Sequence, residues 1–202
     1  MNLFEDDETM RVNLLPYDGT LYYYGKQLSV QESNHYYKCL FDKILWKHDE
    51  AIVQGQRIYT KRKVAWYGDE AYSYTYSNIN KVALPWIKEL LELKKLVEEK
   101  TGETYNSCLL NFYLNGSETM GWHCDAEKDL KHHGAIASLS LGSQRKFSFK
   151  HRKSKESISV TLEEGSLLLM KGEIQTFWLH SLPSSKTVLT PRINLTFRTI
   201  EK

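Results

Sequence analysis

Three cysteines, Cys39, Cys108 and Cys124, are scattered over 202 residues without a CxxC pair. So sparse and odd a set argues against a disulfide framework or a cysteine zinc cluster and fits a reducing, intracellular setting. Long apolar runs are missing as well. Stretches such as Leu167 to Met170 fall far short of the roughly 20 residues a membrane helix needs, so no membrane partner is expected. The first residues, Met1-Asn2-Leu3-Phe4-Glu5-Asp6-Asp7-Glu8, have neither the basic-then-apolar order of a signal peptide nor the Arg/Ser bias of a transit peptide. A cytoplasmic location, or a nuclear one in a eukaryote, is the resulting expectation. Excess charge of one sign is absent too: 27 Lys and Arg oppose 25 Asp and Glu. That balance speaks against a protein coated in nucleic acid, although a sum does not say where charges sit. With 41% hydrophobic and 26% charged residues, disorder, collagen and coiled coil are excluded. The length suits one hydrophobic core, so a single domain is expected; a monomer is the expected state.

Two segments in the first half carry helical signals. Ser29-Val30-Gln31-Glu32 has the form of a capping box, and Tyr37, Leu40, Phe41, Ile44 and Leu45 repeat behind it at helical spacing. A second helix is predicted from Pro85 to near Gly102, with Trp86, Leu90, Leu93 and Val97 on its apolar face. Lys88, Glu89, Glu92, Lys94 and Lys95 form its solvated side in this reading. From residue 106 onward the pattern changes to short alternating runs at 108–113, 135–141, 146–150, 157–162, 166–170, 176–180 and 193–199. Such spacing predicts a mainly β, α+β fold, a sandwich or jelly roll with both helices outside one sheet.

Between the helices, residues 54–80 place Arg57, Lys61, Arg62 and Lys63 ahead of Trp66, Tyr67, Tyr72, Tyr74 and Tyr76, with Gln54-Gly55 as a turn between strands. Two readings stand: the rings are core and the cations a wet face, or cations hold phosphates while rings stack on bases.

Among seven histidines, two stand out. In His123-Cys124-Asp125 an extended chain projects the imidazole and the carboxylate to one face and Cys124 away from it. His180, at the end of its own strand, supplies a third donor. Two His and one carboxylate form the facial triad of non-haem Fe(II) oxygenases, which leaves positions open for a co-substrate and O₂. His132 and His133 look like loop residues, and His35, His48 and His151 read most simply as surface or capping residues. Along 192–198, Arg192, Asn194, Thr196 and Arg198 share one face, and Ile193, Leu195 and Phe197 the other. The strand is either half exposed, with its Args in water, or the wall of a cup that binds an anion. Arg pairs carboxylates bidentately and stays charged when desolvated. The two Arg Cα atoms, about 20 Å apart at ~3.3 Å per residue, could serve opposite ends of a small dicarboxylate. Asn111 and Tyr113 share a face of their own strand and add polar contacts.

These residues together resemble the AlkB-like 2-oxoglutarate- and iron(II)-dependent dioxygenases. The stretches that carry the resemblance are LNFY at 110–113, WHCDAE at 122–127, IASLSLG at 136–142, GSLLLMKG at 165–172, FWLHSLP at 177–183 and PRINLTFR at 191–198. AWYGD at 65–69 and YTYS at 74–77 fit as well, so the match covers about residues 13–200 in order. The resemblance implies a double-stranded β-helix over 106–200, with helices and a nucleotide-recognition lid over 13–105. It implies Fe(II) on His123, Asp125 and His180. Arg192 would anchor the far carboxylate of 2-oxoglutarate with Tyr113, in reach of Asn194, while Asn111 and Arg198 serve the end nearer iron. The implied reaction is oxidative removal of an N-methyl group from 1-methyladenine or 3-methylcytosine in alkylated DNA, with RNA as a second substrate. Its products are formaldehyde, succinate and CO₂.

On the substrate side, the resemblance places Glu127 against the target base and assigns Trp66, Tyr67 and Tyr74 to the lid. A flipped base costs a few kcal/mol to extrude, less when damage already weakens its pairing. The segment 143–155 carries Arg145, Lys146, Lys150, Arg152, Lys153 and Lys155 without an acidic residue, as a solubilising hairpin or a backbone grip. Cys124 reads as a small buried hydrophobe or an oxidation-sensitive thiol. Other readings are an RNA- or protein-directed demethylase of the same family, a non-catalytic reader of modified bases, and a zinc-loaded hydrolase of cupin type. A reader needs neither triad nor dicarboxylate grip, and the zinc hydrolase leaves the RxNxTxR face without a task.

Overall fold

The computed structural model describes residues 12–53, 56–76 and 79–201. The acidic first residues and the Gln54-Gly55 turn lie outside the described residues. In chain order the elements are β1 (Thr20–Lys26), α1 (Val30–Lys43), β2 (Lys47–Val53), β3 (Gln56–Gly68), β4 (Ser73–Tyr76), β5 (Ile79–Val82), β6 (Leu84–Pro85) and α2 (Lys88–Thr101). They continue with β7 (Ser107–Tyr113), β8 (Met120–His123), β9 (Ile136–Gly142), β10 (Arg145–His151), β11 (Ser157–Leu162), β12 (Ser166–Lys171), α3 (Ile174–Phe177), β13 (Trp178–Leu182) and β14 (Arg192–Arg198).

The described strands form a large sheet in the order β1-β12-β9-β14-β7-β3-β2, a four-stranded sheet β11-β10-β13-β8, and the pair β4-β5. From β7 to β14 the chain passes back and forth between the two main sheets, with only the β10–β11 hairpin placing two consecutive strands in the same one, the winding of a double-stranded β-helix. The mainly β expectation holds.

Side-chain alternation divides the large sheet into two faces. Cys108, Leu110 and Phe112 of β7, Leu139 and Leu141 of β9, and Ile193, Leu195 and Phe197 of β14 join one apolar cluster with Leu40 of α1 and Leu90, Leu93 and Val97 of α2. This face is why both helices lie outside one sheet. A second apolar cluster holds Ile136, Phe149, Leu168, Met170 and Trp178, and its Met170 also lines the large cavity described below.

The capping box at α1 forms as the sequence indicates: Ser29 Oγ accepts from the Glu32 backbone N–H, and Glu32 accepts from the Ser29 backbone N–H at 2.8 Å. α2 starts later than Pro85. Its N-cap is Ile87, and Leu84–Pro85 instead pair in parallel with Tyr67–Gly68 of β3. The helix ends at Gly102, whose left-handed φ of 69° suits glycine. Glu89 is not solvated: 8% exposed, it pairs with Lys43 and so ties α2 to α1. Residues 174–177 form the short α3 rather than the start of a strand.

Candidate metal centre and co-substrate cup

Strand pairing brings the two histidines together. β8 and β13 are antiparallel neighbours, and His123 lies opposite His180 in their register. Directly opposed side chains on one face sit close, and the two ring centroids are 4.3 Å apart. Asp125 follows just beyond β8, its Oδ1 4.0 Å from His123 Nε2. One donor atom from each of the three lies within 4.8 Å of the others, a group that can hold one metal ion. His123 Nδ1 lies 2.8 Å from the carbonyl oxygen of Gly121. A carbonyl only accepts, so Nδ1 carries the proton and the Nε2 lone pair faces the centre. The Asp125 backbone N–H donates to Gln175 Oε1 at 2.9 Å, which fastens the loop to α3.

Electrostatics favour the protonation states that bind a cation. Burial opposes the charged form of Asp125, but Arg198, His180 and His123 outweigh it and hold the carboxyl below its ordinary value. His180 moves down as well, to about 4, because burial outweighs the attraction of Asp125. A buried imidazole that stays neutral has a consequence for the metal-free protein. The unfolded chain takes up the His180 proton first, so this contribution to stability is complete above about pH 6.5 and is lost as pH falls toward about 4. The loss is on the order of 3 kcal/mol at most. Denaturant midpoints measured for wild type and His180→Asn from neutral to acid pH should converge across that window.

The opposite wall belongs to β14, all of whose residues are buried, so its Args are not in water. Arg192 is 3% exposed, and its Nη2 donates to Ser140 Oγ at 2.9 Å and to Asn194 Oδ1 at 2.6 Å. Asn194 Oδ1 also accepts from Ser138 Oγ at 2.9 Å, while its Nδ2 donates to Thr196 Oγ1 at 2.9 Å. Asn194 is therefore engaged in holding Arg192. The Arg192 guanidinium lies 5.7 Å from the Tyr113 ring centroid. Burial pulls its pKa down to about 10, with Tyr113 acting the other way. Among the described residues no carboxylate pairs with Arg192, and its Nε has no hydrogen-bond partner. A buried cation without its anion is costly, and a carboxylate ligand would complete it. Arg198 instead bridges two carboxylates, with Nη2 to Asp125 Oδ1 and Nη1 to Glu127 Oε1, each at 3.0 Å.

One cavity of about 770 Å³ is lined by His123, Asp125, His180, Asn111, Tyr113, Arg192, Asn194, Arg198 and Glu127. The lid candidates divide. On β3 the even-numbered residues Arg62 and Val64 face the cavity, whereas Ala65 and Tyr67 face the helices. Tyr67, 2% exposed, is thus a core ring and not part of a lid. Trp66 packs with Tyr72 and Ala83 and borders a smaller cavity of about 360 Å³ that shares Glu127 and Arg198 with the first. The Tyr74 side chain lies outside the described residues.

Two basic stretches also divide. Arg62 is not a wet-face cation but the partner of the buried Asp49 at 2.6 Å. Arg145 is 2% exposed and donates to the carbonyls of Glu118 at 2.9 Å and Pro183 at 2.8 Å, clamping loops. Lys146, Arg152, Lys153 and Lys155 remain exposed. Arg152 Nη2 donates to Cys124 Sγ at 2.9 Å. His151 is buried at 3% and lies 3.1 Å from Asp18, a partner too distant in sequence for local spacing to reveal.

A double-stranded β-helix with a His-Asp-His group at its mouth and, among the described residues, a buried Arg without a carboxylate partner in its wall fits the class of non-haem iron oxygenases that use a dicarboxylate. The 2OG-Fe(II) oxygenase superfamily profile matches residues 20–198. The DNA oxidative demethylase ALKBH2 of Mus musculus is 42% identical over 147 residues, 69% of this chain and 62% of that protein. The alpha-ketoglutarate-dependent dioxygenase alkB homolog 3 of Bos taurus is 35% identical over 183 residues, 86% of this chain and 63% of its own length. The solved structure of OsALKBH1 superimposes with a TM-score of 0.63 at 19% identity, covering 92% of this chain and 98% of its own, a likeness of fold. The chain belongs to the 2-oxoglutarate–Fe(II) oxygenase superfamily, in its AlkB-like branch. Fe(II), 2-oxoglutarate and O₂ are the cofactor and co-substrates of that family, and the donor set and buried Arg192 fit them. The chain spans about three fifths of the length of these two curated relatives. Among the described residues no helix is long and apolar enough to cross a membrane.

Proposed function

We propose that this protein is an oxidative demethylase of N-alkylated bases, 1-methyladenine and 3-methylcytosine, acting on DNA and, as a second substrate, RNA. Residues 106–200 are its catalytic core and 13–105 its helices and substrate lid; it works as a monomer inside the cell. His123, Asp125 and His180 hold Fe(II), Arg192 with Tyr113 takes the far carboxylate of 2-oxoglutarate, and Asn111 and Arg198 serve the near end. Bound iron with 2-oxoglutarate and O₂ supplies the oxidising power that hydroxylates the methyl carbon, which leaves as formaldehyde. The chain's own task is to bind, orient and keep the site dry.

The observation that carries the reading is Glu127. Its Oε1 is held by Arg198, while Oε2 is buried in the cavity wall beside the triad without a hydrogen-bond partner. A buried acceptor of this kind calls for a donor, and both lesions offer an exocyclic amine on a cationic ring. The names of the relatives, DNA oxidative demethylase among them, support the same substrate class.

Formaldehyde release from oligonucleotides carrying either lesion, in single-stranded DNA, duplex DNA and RNA, tests the proposal. Absence of formaldehyde from all of them would reject it and favour a reader. Glu127→Gln keeps the shape and removes the charge. It is expected to lower kcat/KM for the methylated base about tenfold, the scale of one charge-assisted hydrogen bond, with 2-oxoglutarate affinity unchanged.

A further inference from the structure

A second, largely buried guanidinium faces the cup from the hairpin of β2 and β3. Arg62 Nε donates to Oδ1 of Asn111 at 3.1 Å, and its Nη2 donates to Asp49 Oδ2 at 2.6 Å. The two charged side chains are 12% and 9% exposed. Asp49 sits where the β2–β3 register slips, between His48 and Glu50. There β3 sets Thr60, Lys61 and Arg62 against Asp49 alone; such an irregularity re-aims side chains, and here Arg62 meets the Asp49 carboxylate. Both line the large cavity along with Asn111.

A guanidinium has donors only, so whichever amide atom of Asn111 faces Arg62 is its oxygen. The Asn111 NH₂ is thereby the end left for the cup. We propose that Arg62 is a positioning residue for the co-substrate: pinned by Asp49, it fixes the Asn111 amide so that its NH₂ donates to an oxygen of 2-oxoglutarate. Without it the amide can turn and present an acceptor to the dicarboxylate. Asp49 also neutralises Arg62, which leaves Arg192 as the cation available to the far carboxylate. The bulged hairpin and the co-substrate site are linked through three side chains.

The proposal rests on reading the cup as the 2-oxoglutarate site, and the test separates the two. Full-length protein is loaded with Mn(II), which is redox-silent here, and 2-oxoglutarate is titrated by calorimetry. Arg62→Met is expected to weaken 2-oxoglutarate binding about tenfold, with Mn(II) affinity unchanged. Asn111→Ala weakens it to a similar extent, and the double variant is no weaker than Asn111→Ala alone. Additive losses would overturn the assignment, because Arg62 would then act by another route. Asn111→Asp retains a partner for Arg62 and guards against misfolding. It should bind 2-oxoglutarate more weakly than Asn111→Ala, since it sets a carboxylate against the ligand; wild-type affinity would overturn the proposal. Arg192→Ala is the reference. If it weakens binding while Arg62→Met does not, the Arg62 assignment alone fails; if neither does, the reading of the cup fails.

Discussion

Asp125→Ala is expected to abolish productive metal binding. The carboxylate is the one negative donor in the His-Asp-His group, and Arg198 at 3.0 Å holds it ionised and oriented. Loss of merely supporting contacts around a metal typically costs 10- to 100-fold, so removal of the anionic donor itself should cost more than about a hundredfold. Anaerobic titration of Fe(II) with 2-oxoglutarate should give a weak visible charge-transfer band in the wild type and none in the variant. The fold should survive, because Arg198 keeps Glu127 as a second carboxylate partner. A destabilisation of about 1–3 kcal/mol is the expected scale for the lost contact. A variant that retained the band would remove Asp125 from the centre.

Arg192→Ala should produce the second large effect, on the co-substrate. In the folded protein this guanidinium is buried, carries no described carboxylate partner and is braced by Ser140 and Asn194. A charged hydrogen bond contributes roughly 1.5–3 kcal/mol, so 2-oxoglutarate affinity should fall about a hundredfold for a bidentate grip. Metal affinity should not change. Arg192→Lys should recover only part of the loss, since an ammonium cannot reproduce the planar fork. Unchanged 2-oxoglutarate affinity in Arg192→Ala would reject the co-substrate assignment. In the unliganded variant the desolvation penalty of the buried cation is removed, which offsets part of the loss of its bonds to Ser140 and Asn194.

The parts of the site legible in the sequence are those set by local periodicity. The alternation along 192–198 already sorted Arg192, Asn194, Thr196 and Arg198 onto one face, and the i, i+2 spacing of His123 and Asp125 aligned them. The capping box at Ser29 was legible for the same reason. What the pattern cannot carry is which face of a strand meets the cup and which distant residue neutralises a charge. Trp66 and Tyr67 are adjacent aromatics, yet the pleat sends one toward Tyr72 and the other into the helix-side core. Arg62 and Arg145 looked like members of basic runs, but their partners, Asp49 across a bulge and the carbonyls of Glu118 and Pro183, are remote or irregular. Pro85 is a good opening residue for a helix, and here its neighbourhood is claimed by parallel pairing with β3.

The place of β14 has a consequence for how the molecule forms. It is the last of the described strands, but it lies inside the large sheet, hydrogen-bonded to β9 on one side and β7 on the other. Until the chain has been synthesised through Arg198, those two strands have no neighbour to join them, and the hydrophobic sheet has a gap at its centre. Closure of that gap is a long-range event, of the kind that makes β proteins fold slowly and keeps apolar surface and strand edges exposed in the meantime. It also orders events in time. The residue proposed to grip 2-oxoglutarate arrives with the last of the described strands, so a nascent or truncated chain has a histidine pair but no means of arming it.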